Sequence, residues 1–275
     1  MPTLTAKDGT QLFCRRWGDG PPVMLSHGWA MSSDAWQPLM LRLSEAGFSA
    51  IAYDRRGSGR SDDPGRGYDY DTLADDLDAV MAAFDVEDAT MVGHSMGCGE
   101  IVRRITRHDA RGVARIVMIA PFLPFPLKTA DNPDGHVDGA QATAMRAAWV
   151  SDFAGWLGLA VPPAFPPETP PEQLAQVMRS FLQTSVQAAI ATNVTGAGTD
   201  MRGELATLNV PTLILHGDAD TSSPLEATGR RTAALIPGAT LKVYPGAQHS
   251  LVLTHADALA ADIVSFARGK QALAA

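Results

Sequence analysis

The stretch Val92-Gly93-His94-Ser95-Met96-Gly97-Cys98-Gly99-Glu100 sets a serine at the centre of a Gly-x-Ser-x-Gly pentapeptide. A serine hydroxyl is a poor nucleophile until a neighbouring base takes its proton. The run at 89–92 is apolar and strand-like, and 100–106 is helix-like, so 93–97 reads as a strand-to-helix turn. Such a turn exposes the serine hydroxyl at the edge of a sheet. Side chains in place of Gly93 and Gly97 would collide with neighbouring backbone. The Met96 amide, at a helix N-terminus, faces the same spot and is suited to an oxyanion. The pentapeptide alone recurs by chance, and a helix-capping serine is its ordinary meaning. A base and an acid further along the chain decide between the two.

Both are present. Leu213-Ile214-Leu215-His216-Gly217-Asp218-Ala219-Asp220 ends a strand in two carboxylates, and Tyr244-Pro245-Gly246-Ala247-Gln248-His249-Ser250 follows the next strand. Serine, aspartate, histidine is the chain order of a hydrolytic triad on an α/β sheet. Upstream, Leu25-Ser26-His27-Gly28-Trp29-Ala30 supplies another strand end and a second free amide, at Trp29. Spacing leaves Asp218 and Asp220 as rival acids, and the one not used would hold the loop through backbone hydrogen bonds.

The rest of the chain fits an α/β layer architecture. Apolar runs at 23–26, 49–53, 89–92, 116–120, 212–215 and 241–244 lack polar alternation, as strands covered on both faces do. A hairpin at 3–7 and 10–17, turning at Asp8-Gly9, brings the strand count to eight. Helical patterns lie between the runs, for example Leu73, Leu77, Val80, Met81 and Phe84. From 122 to 208 no strand is evident, only helical segments and proline pairs. This reads as a helical cap over the ligand-binding edge of a core made of 1–121 and 209–275.

Composition narrows the partners. The 275 residues carry 30 acidic against 22 basic side chains, a net charge of −8 that disfavours nucleic acid and anionic membrane surfaces. The longest apolar run, 116–127, is interrupted by Pro121, Pro124 and Pro126 and is too short to span a bilayer. Cys14 and Cys98 lie far apart without metal or disulfide spacing, and the first twenty residues lack the apolar core of a signal peptide. The expectation is a cytoplasmic protein with reduced thiols, and a homo-oligomer stays open.

On these residues the chain closely resembles the α/β-hydrolase fold family, and within it the cofactor-free serine esterases also labelled non-haem haloperoxidases or perhydrolases. Besides the stretches above, the likeness rests on YDRRGSGRSD (53–62), KTADNPDG (128–135), NVPTLILHGDAD (209–220) and LKVYPGAQHSL (241–251). The resemblance implies a mostly parallel eight-stranded sheet flanked by helices, with the cap inserted after the sixth strand. It implies Ser95 as nucleophile, Asp220 as acid, His249 as base, the Trp29 and Met96 amides as oxyanion donors, and neither metal nor cofactor. Its substrates would be small esters or lactones. Many members labelled haloperoxidase carry proline after the tryptophan of HGW, where this chain has Ala30. That departure counts against perhydrolysis and leaves ester hydrolysis untouched.

Several other features have plain structural meanings. His27 and His94 abut the oxyanion segments without metal-ligand spacing, so they read as supports. Gly57-Ser58-Gly59 begins like a dinucleotide fingerprint but has Asp62 where a third glycine belongs. Arginines 103, 104, 107, 111 and 115 read as a solvated helix face. In the cap, Trp149, Phe153 and Trp156 form a stripe whose face is either core or pocket. Phe122 and Phe125, after a strand end, are pocket candidates. Two other functions compete: a cofactor-free dioxygenase using the histidine as base, and a non-catalytic binding protein on the same scaffold. Epoxide hydrolases and haloalkane dehalogenases are disfavoured, since they need a carboxylate at position 95.

Overall fold

The computed structural model describes residues 3–269. Eight strands form one sheet in the order β1-β2-β4-β3-β5-β6-β7-β8. They are β1 (Thr3–Thr5), β2 (Gln11–Trp17), β3 (Pro22–Ser26), β4 (Ser49–Tyr53), β5 (Ala89–His94), β6 (Val113–Ile119), β7 (Thr212–Gly217) and β8 (Thr240–Tyr244). The β1–β2 hairpin is antiparallel and meets β4 antiparallel, while β4, β3, β5, β6, β7 and β8 run parallel. Every residue of β4, β5 and β7 is buried, which is why their apolar runs show no alternation. β6 stops one residue earlier than the run at 116–120 suggests, because Ala120 turns away at φ +43°.

Alternate strand residues feed two apolar layers. Met24, Ile51, Met91 and Ile116 pack on one face under α2 (Tyr70–Ala83) and α3 (Met96–Arg107). Val23, Ala50, Val92 and Val117 pack on the other under α1 (Gln37–Glu45) and α10 (Ala256–Ala267). Helix α3 starts at Met96, four residues before the helical pattern at 100–106. Gly97 and Gly99 are weak helix formers, yet a Cβ on Gly97 would lie 2.3 Å from the Ser26 carbonyl oxygen and one on Gly99 2.5 Å from the Tyr70 hydroxyl. Close packing here overrides local propensity.

The arginine row is solvated only in part: Arg107 and Arg111 are exposed, but the others are not. Arg104 is 1% exposed, donating to Asp78 at 2.7 Å and to the Arg111 carbonyl at 2.6 Å. Arg103 bonds Asp71 and Glu204, and Arg107 reaches Asp75 at 2.7 Å. Carboxylates of α2 face each of them, so the row ties α2 to α3. Arg111 follows α3, and Arg115 lies on β6. Charge counting cannot see a partner helix.

Between β6 and β7 lie α4 (Gly139–Ala160), α5 (Pro171–Phe181), α6 (Val186–Gly198) and α7 (Arg202–Thr207). Helix α4 is two helices joined at Asp152 (φ −156°, ψ 81°), whose carboxylate accepts from the Gly155 amide at 2.7 Å and so caps the second. Trp149, Phe153, Leu157, Phe165 and Val177 form a separate apolar cluster above the sheet. Met201, Leu205 and Leu208 instead join the layer under the sheet, so the insertion re-enters the core from residue 201. After β7 come α8 (Gly229–Leu235) and, beyond β8, α9 (Leu251–Thr254) leading into α10. Among the described residues no helix is long and apolar enough to cross a membrane.

Candidate active site

The parallel strands β3, β5, β6, β7 and β8 all end at the same edge of the sheet, and five loops converge there. Ser95 follows β5 directly, with φ +53° and ψ −118°. For a residue with a Cβ this is a strained conformation, typically about 1–3 kcal/mol above the preferred regions. Packing enforces it. The Ser95 amide donates to the Ile119 carbonyl at 2.9 Å, and a Cβ on Gly93 would come within 2.8 Å of the Cys98 backbone. The turn therefore projects the hydroxyl off the sheet edge.

The loop after β8 brings His249 to that hydroxyl. Ser95 Oγ donates to His249 Nε2 at 3.1 Å, and His249 Nδ1 donates to Asp220 Oδ2 at 2.7 Å. Asp220 is buried after β7. Its Oδ1 accepts from the Ser222 and Ser223 amides at 2.9 and 2.8 Å. Burial pushes the Asp220 carboxyl up, but the facing His249, hydrogen bonds from His216 and His249, and the Ser223 amide reverse this and hold it well below the usual carboxylate range. An ionised Asp220 fixes the His249 tautomer, leaving Nε2 as the acceptor. The rival Asp218 points elsewhere, its Oδ1 accepting from the Gly246 amide at 2.6 Å. It ties the β7 loop to the β8 loop, as expected of the carboxylate not facing the histidine.

His27 and His94 are buried beside this chain. Burial, with Arg55 next to His27 and His249 next to His94, pushes each imidazole down to about 3. Both are neutral at working pH. His27 Nε2 accepts from the Arg55 amide at 2.9 Å, so its Nδ1 donates to the Gly28 carbonyl at 2.8 Å. His94 Nε2 donates to the His249 carbonyl at 3.1 Å and so steadies the β8 loop. A Cβ on Gly28 would stand 2.7 Å from His94 Nδ1. Among the described residues no group of three or more His, Cys, Asp or Glu side chains is arranged to hold a metal. His216, 3.4 Å from Asp220 Oδ2, lies in the stretch that carries both aspartates, but only the fold shows which of them it touches.

Trp29 and Met96, the expected oxyanion donors, line the same cavity as Ser95. Met96 is the first residue of α3, so its N–H has no intrahelical acceptor. The Trp29 amide meets no acceptor among the described residues. The Trp29 indole reaches into the cap, donating from Nε1 to the Ala189 carbonyl at 2.8 Å and lying 4.8 Å from the Trp149 ring. Ala30 follows with φ +52°, a conformation closed to proline, whose ring holds φ near −65°.

A cavity of about 370 Å³ opens over Ser95 and His249 between the sheet edge and the cap. Trp29, Phe122, Trp149 and Trp156 line it, as the sequence suggests, together with unforeseen groups such as Met145 and Phe165. Phe125 and Phe153 do not line it. The prolines around Phe125 turn its ring away to lie under the Arg202 guanidinium, 5.4 Å off. Phe153 starts the second half of α4, after the break at Asp152, and its ring lies 5.9 Å from that of Trp149. It packs edge-on against Trp29 in the cap core. The stripe stays together across the break, since all three rings pack on Trp29, but only Trp149 and Trp156 reach the cavity.

A family model described as alpha/beta hydrolase fold matches residues 21–256. The chain is 37% identical to a non-heme haloperoxidase of Rhodococcus erythropolis over 97% of its own length and 99% of that protein's. It is 34% identical to a bifunctional esterase/perhydrolase of Acinetobacter calcoaceticus over 98% and 100%. The solved structure of an esterase from Exiguobacterium antarcticum superposes with a TM-score of 0.92 at 26% identity, covering 97% of this chain and 98% of that one. Strand order, the serine turn and the matched span all lead to one assignment: the chain belongs to the α/β-hydrolase fold family.

Proposed function

We propose that the protein is a serine hydrolase that cleaves compact carboxylic esters or lactones through an acyl-enzyme. The observation that carries this reading is the hydrogen-bonded run from Ser95 through His249 to Asp220 at the floor of the cavity. Ser95 Oγ attacks the carbonyl carbon as its proton passes to His249 Nε2, and the Asp220 carboxylate balances the imidazolium. The tetrahedral oxygen takes its charge between the Trp29 and Met96 amides. The intermediate collapses, the alkoxide leaves with the proton from Nε2, and the acyl group stays on Ser95. Water, deprotonated by the same histidine, attacks the acyl carbon and frees the acid. The relatives named esterase support ester chemistry. Cys14 and Cys98, both free and buried, support placing the protein in a reducing cytoplasm.

Cavity size sets the substrate range. At about 370 Å³ with mainly apolar walls it stands near the small end of ligand pockets. Each methylene added to an acyl chain contributes about 0.8 kcal/mol while the slot has room. Beyond that, forcing bulk against the aromatic walls costs roughly 1–3 kcal/mol. Across 4-nitrophenyl esters from acetate to palmitate, kcat/KM should rise over the first few carbons and then fall, and a serine-directed phosphonate should label Ser95 and abolish turnover. A steady climb to palmitate overturns the compact-substrate reading, and an unlabelled Ser95 overturns the acyl-enzyme.

A further inference from the structure

The cavity wall is mainly apolar, yet helix α6 sets an amide into it. Asn193 lines the cavity and is half-buried. Its place along α6 fixes what it overlooks. One turn before it, the Ala189 carbonyl holds the Trp29 indole. Three residues after it, the Cβ position of Gly196 lies 3.6 Å from the Met96 side chain and 3.7 Å from Phe122. Residues three and four apart share a helix face, so Asn193 stands between the contacts to Trp29 and Met96, which line the cavity with Ser95.

Its amide is also oriented. Arg146 on α4 donates from Nη1 to Asn193 Oδ1 at 3.0 Å, and from Nη2 to Thr143 Oγ1 at 3.1 Å. A guanidinium only donates, so the oxygen of Asn193 must face Arg146 and the NH₂ group must face away. Among the described residues that Nδ2 meets no acceptor, and it is not closed off from the surface. Of the other cavity hydroxyls besides Ser95, only that of Ser222, on the loop that holds Asp220, is open to the surface. Thr192 Oγ1 donates back to the Ala188 carbonyl at 2.6 Å, and the Ser223 and Ser250 hydroxyl oxygens have no exposed surface.

We infer that Asn193 is a specificity-determining residue, its Nδ2 donating to a second acceptor oxygen (ether, ketone or ring oxygen) on an ester or lactone whose carbonyl lies at Ser95. The preferred substrates are then oxygenated small esters and lactones rather than plain alkyl esters. Arg146 is the positioning residue that keeps the donor end of the amide turned to the cavity. This rests on the serine-hydrolase reading given above.

Pairs differing only by an ether oxygen in place of a methylene test it: 4-nitrophenyl 3-methoxypropanoate against pentanoate on the acyl side, and 2-methoxyethyl against butyl acetate on the alcohol side. The ratio of kcat/KM within each pair is measured for wild type, Asn193→Leu and Arg146→Met, which cancels intrinsic ester reactivity. In at least one pair the wild-type ratio should exceed that of Asn193→Leu by about tenfold, the worth of one hydrogen bond. Arg146→Met, which leaves Asn193 in place but frees its amide to turn, should fall between. Active-site titration with the phosphonate accompanies each protein. Titratable wild type whose ratios match those of both variants overturns the role of Asn193, as does an equal loss on both members of every pair. A wild type that cannot be titrated overturns the parent reading instead.

Discussion

Ser95→Ala should lower ester turnover by about 10⁶-fold, the loss that follows removal of a triad serine in other hydrolases. That is roughly 8 kcal/mol of transition-state stabilisation. The size follows from the geometry: Ser95 Oγ is the atom bonded to His249 Nε2 at 3.1 Å, and alanine leaves the imidazole intact with nothing to deprotonate except water. The variant should fold, because the turn is held by the Ser95 amide bond to Ile119 and by the packing of Gly93 and Gly97, none of which involves the hydroxyl. Turnover of 4-nitrophenyl acetate by purified variant, with circular dichroism as the folding control, is the measurement. Activity within tenfold of wild type would sink the covalent mechanism and favour histidine acting alone as a base, as in a cofactor-free dioxygenase.

Asp220→Asn should cost about 10⁴-fold in turnover. The amide cannot compensate an imidazolium, and its NH₂ end facing His249 Nδ1 would favour the tautomer that protonates Nε2, the nitrogen that must accept from Ser95. Asp218→Asn should act differently. Its carboxylate accepts from the Gly246 amide, so the substitution weakens the link between the β7 and β8 loops and shows in thermal stability more than in turnover. Measuring kcat and melting temperature for both separates the roles. A larger kcat loss in folded Asp218→Asn than in Asp220→Asn would contradict the assignment.

Much of this was legible in the linear chain because parallel strands are covered on both faces and their runs need no alternation to be seen. Ser95, Asp220 and His249 stood out because each follows such a run, and strand ends converge where the sheet is open. Spacing alone leaves either aspartate able to face the base, and only the family resemblance favours Asp220; in three dimensions His249 Nδ1 meets Asp220, which the Ser222 and Ser223 amides hold in place. The cap was less readable. Trp149, Phe153 and Trp156 keep helical spacing through a helix that breaks at Asp152. Phe125 sits among prolines that send its ring to Arg202. Asn193 belongs to no motif, and its meaning depends on an arginine 47 residues away along the chain. Arg104 looked solvated because its carboxylate partner comes from another helix.

The backbone at Ser95 also bears on how the molecule melts. At φ +53° and ψ −118° any side chain is strained, so the nucleophile lowers the heat resistance of the fold that holds it. Glycine accepts that conformation freely. Ser95→Gly and Ser95→Ala lose the same hydroxyl, but glycine also sheds strain of about 1–3 kcal/mol, against roughly 0.4–1 kcal/mol for the looser unfolded chain it creates. The inactive glycine variant should therefore melt above the inactive alanine variant, by a few degrees at about 2–4 °C per kcal/mol. Equal melting temperatures would mean that the strain only matches that chain-entropy cost, and a glycine variant melting below the alanine one would mean that the turn carries none. A gap in favour of glycine would mean that a chain of this fold released from its chemistry gains heat resistance by exchanging the serine for glycine, while Gly93 and Gly97, kept by packing alone, stay where they are.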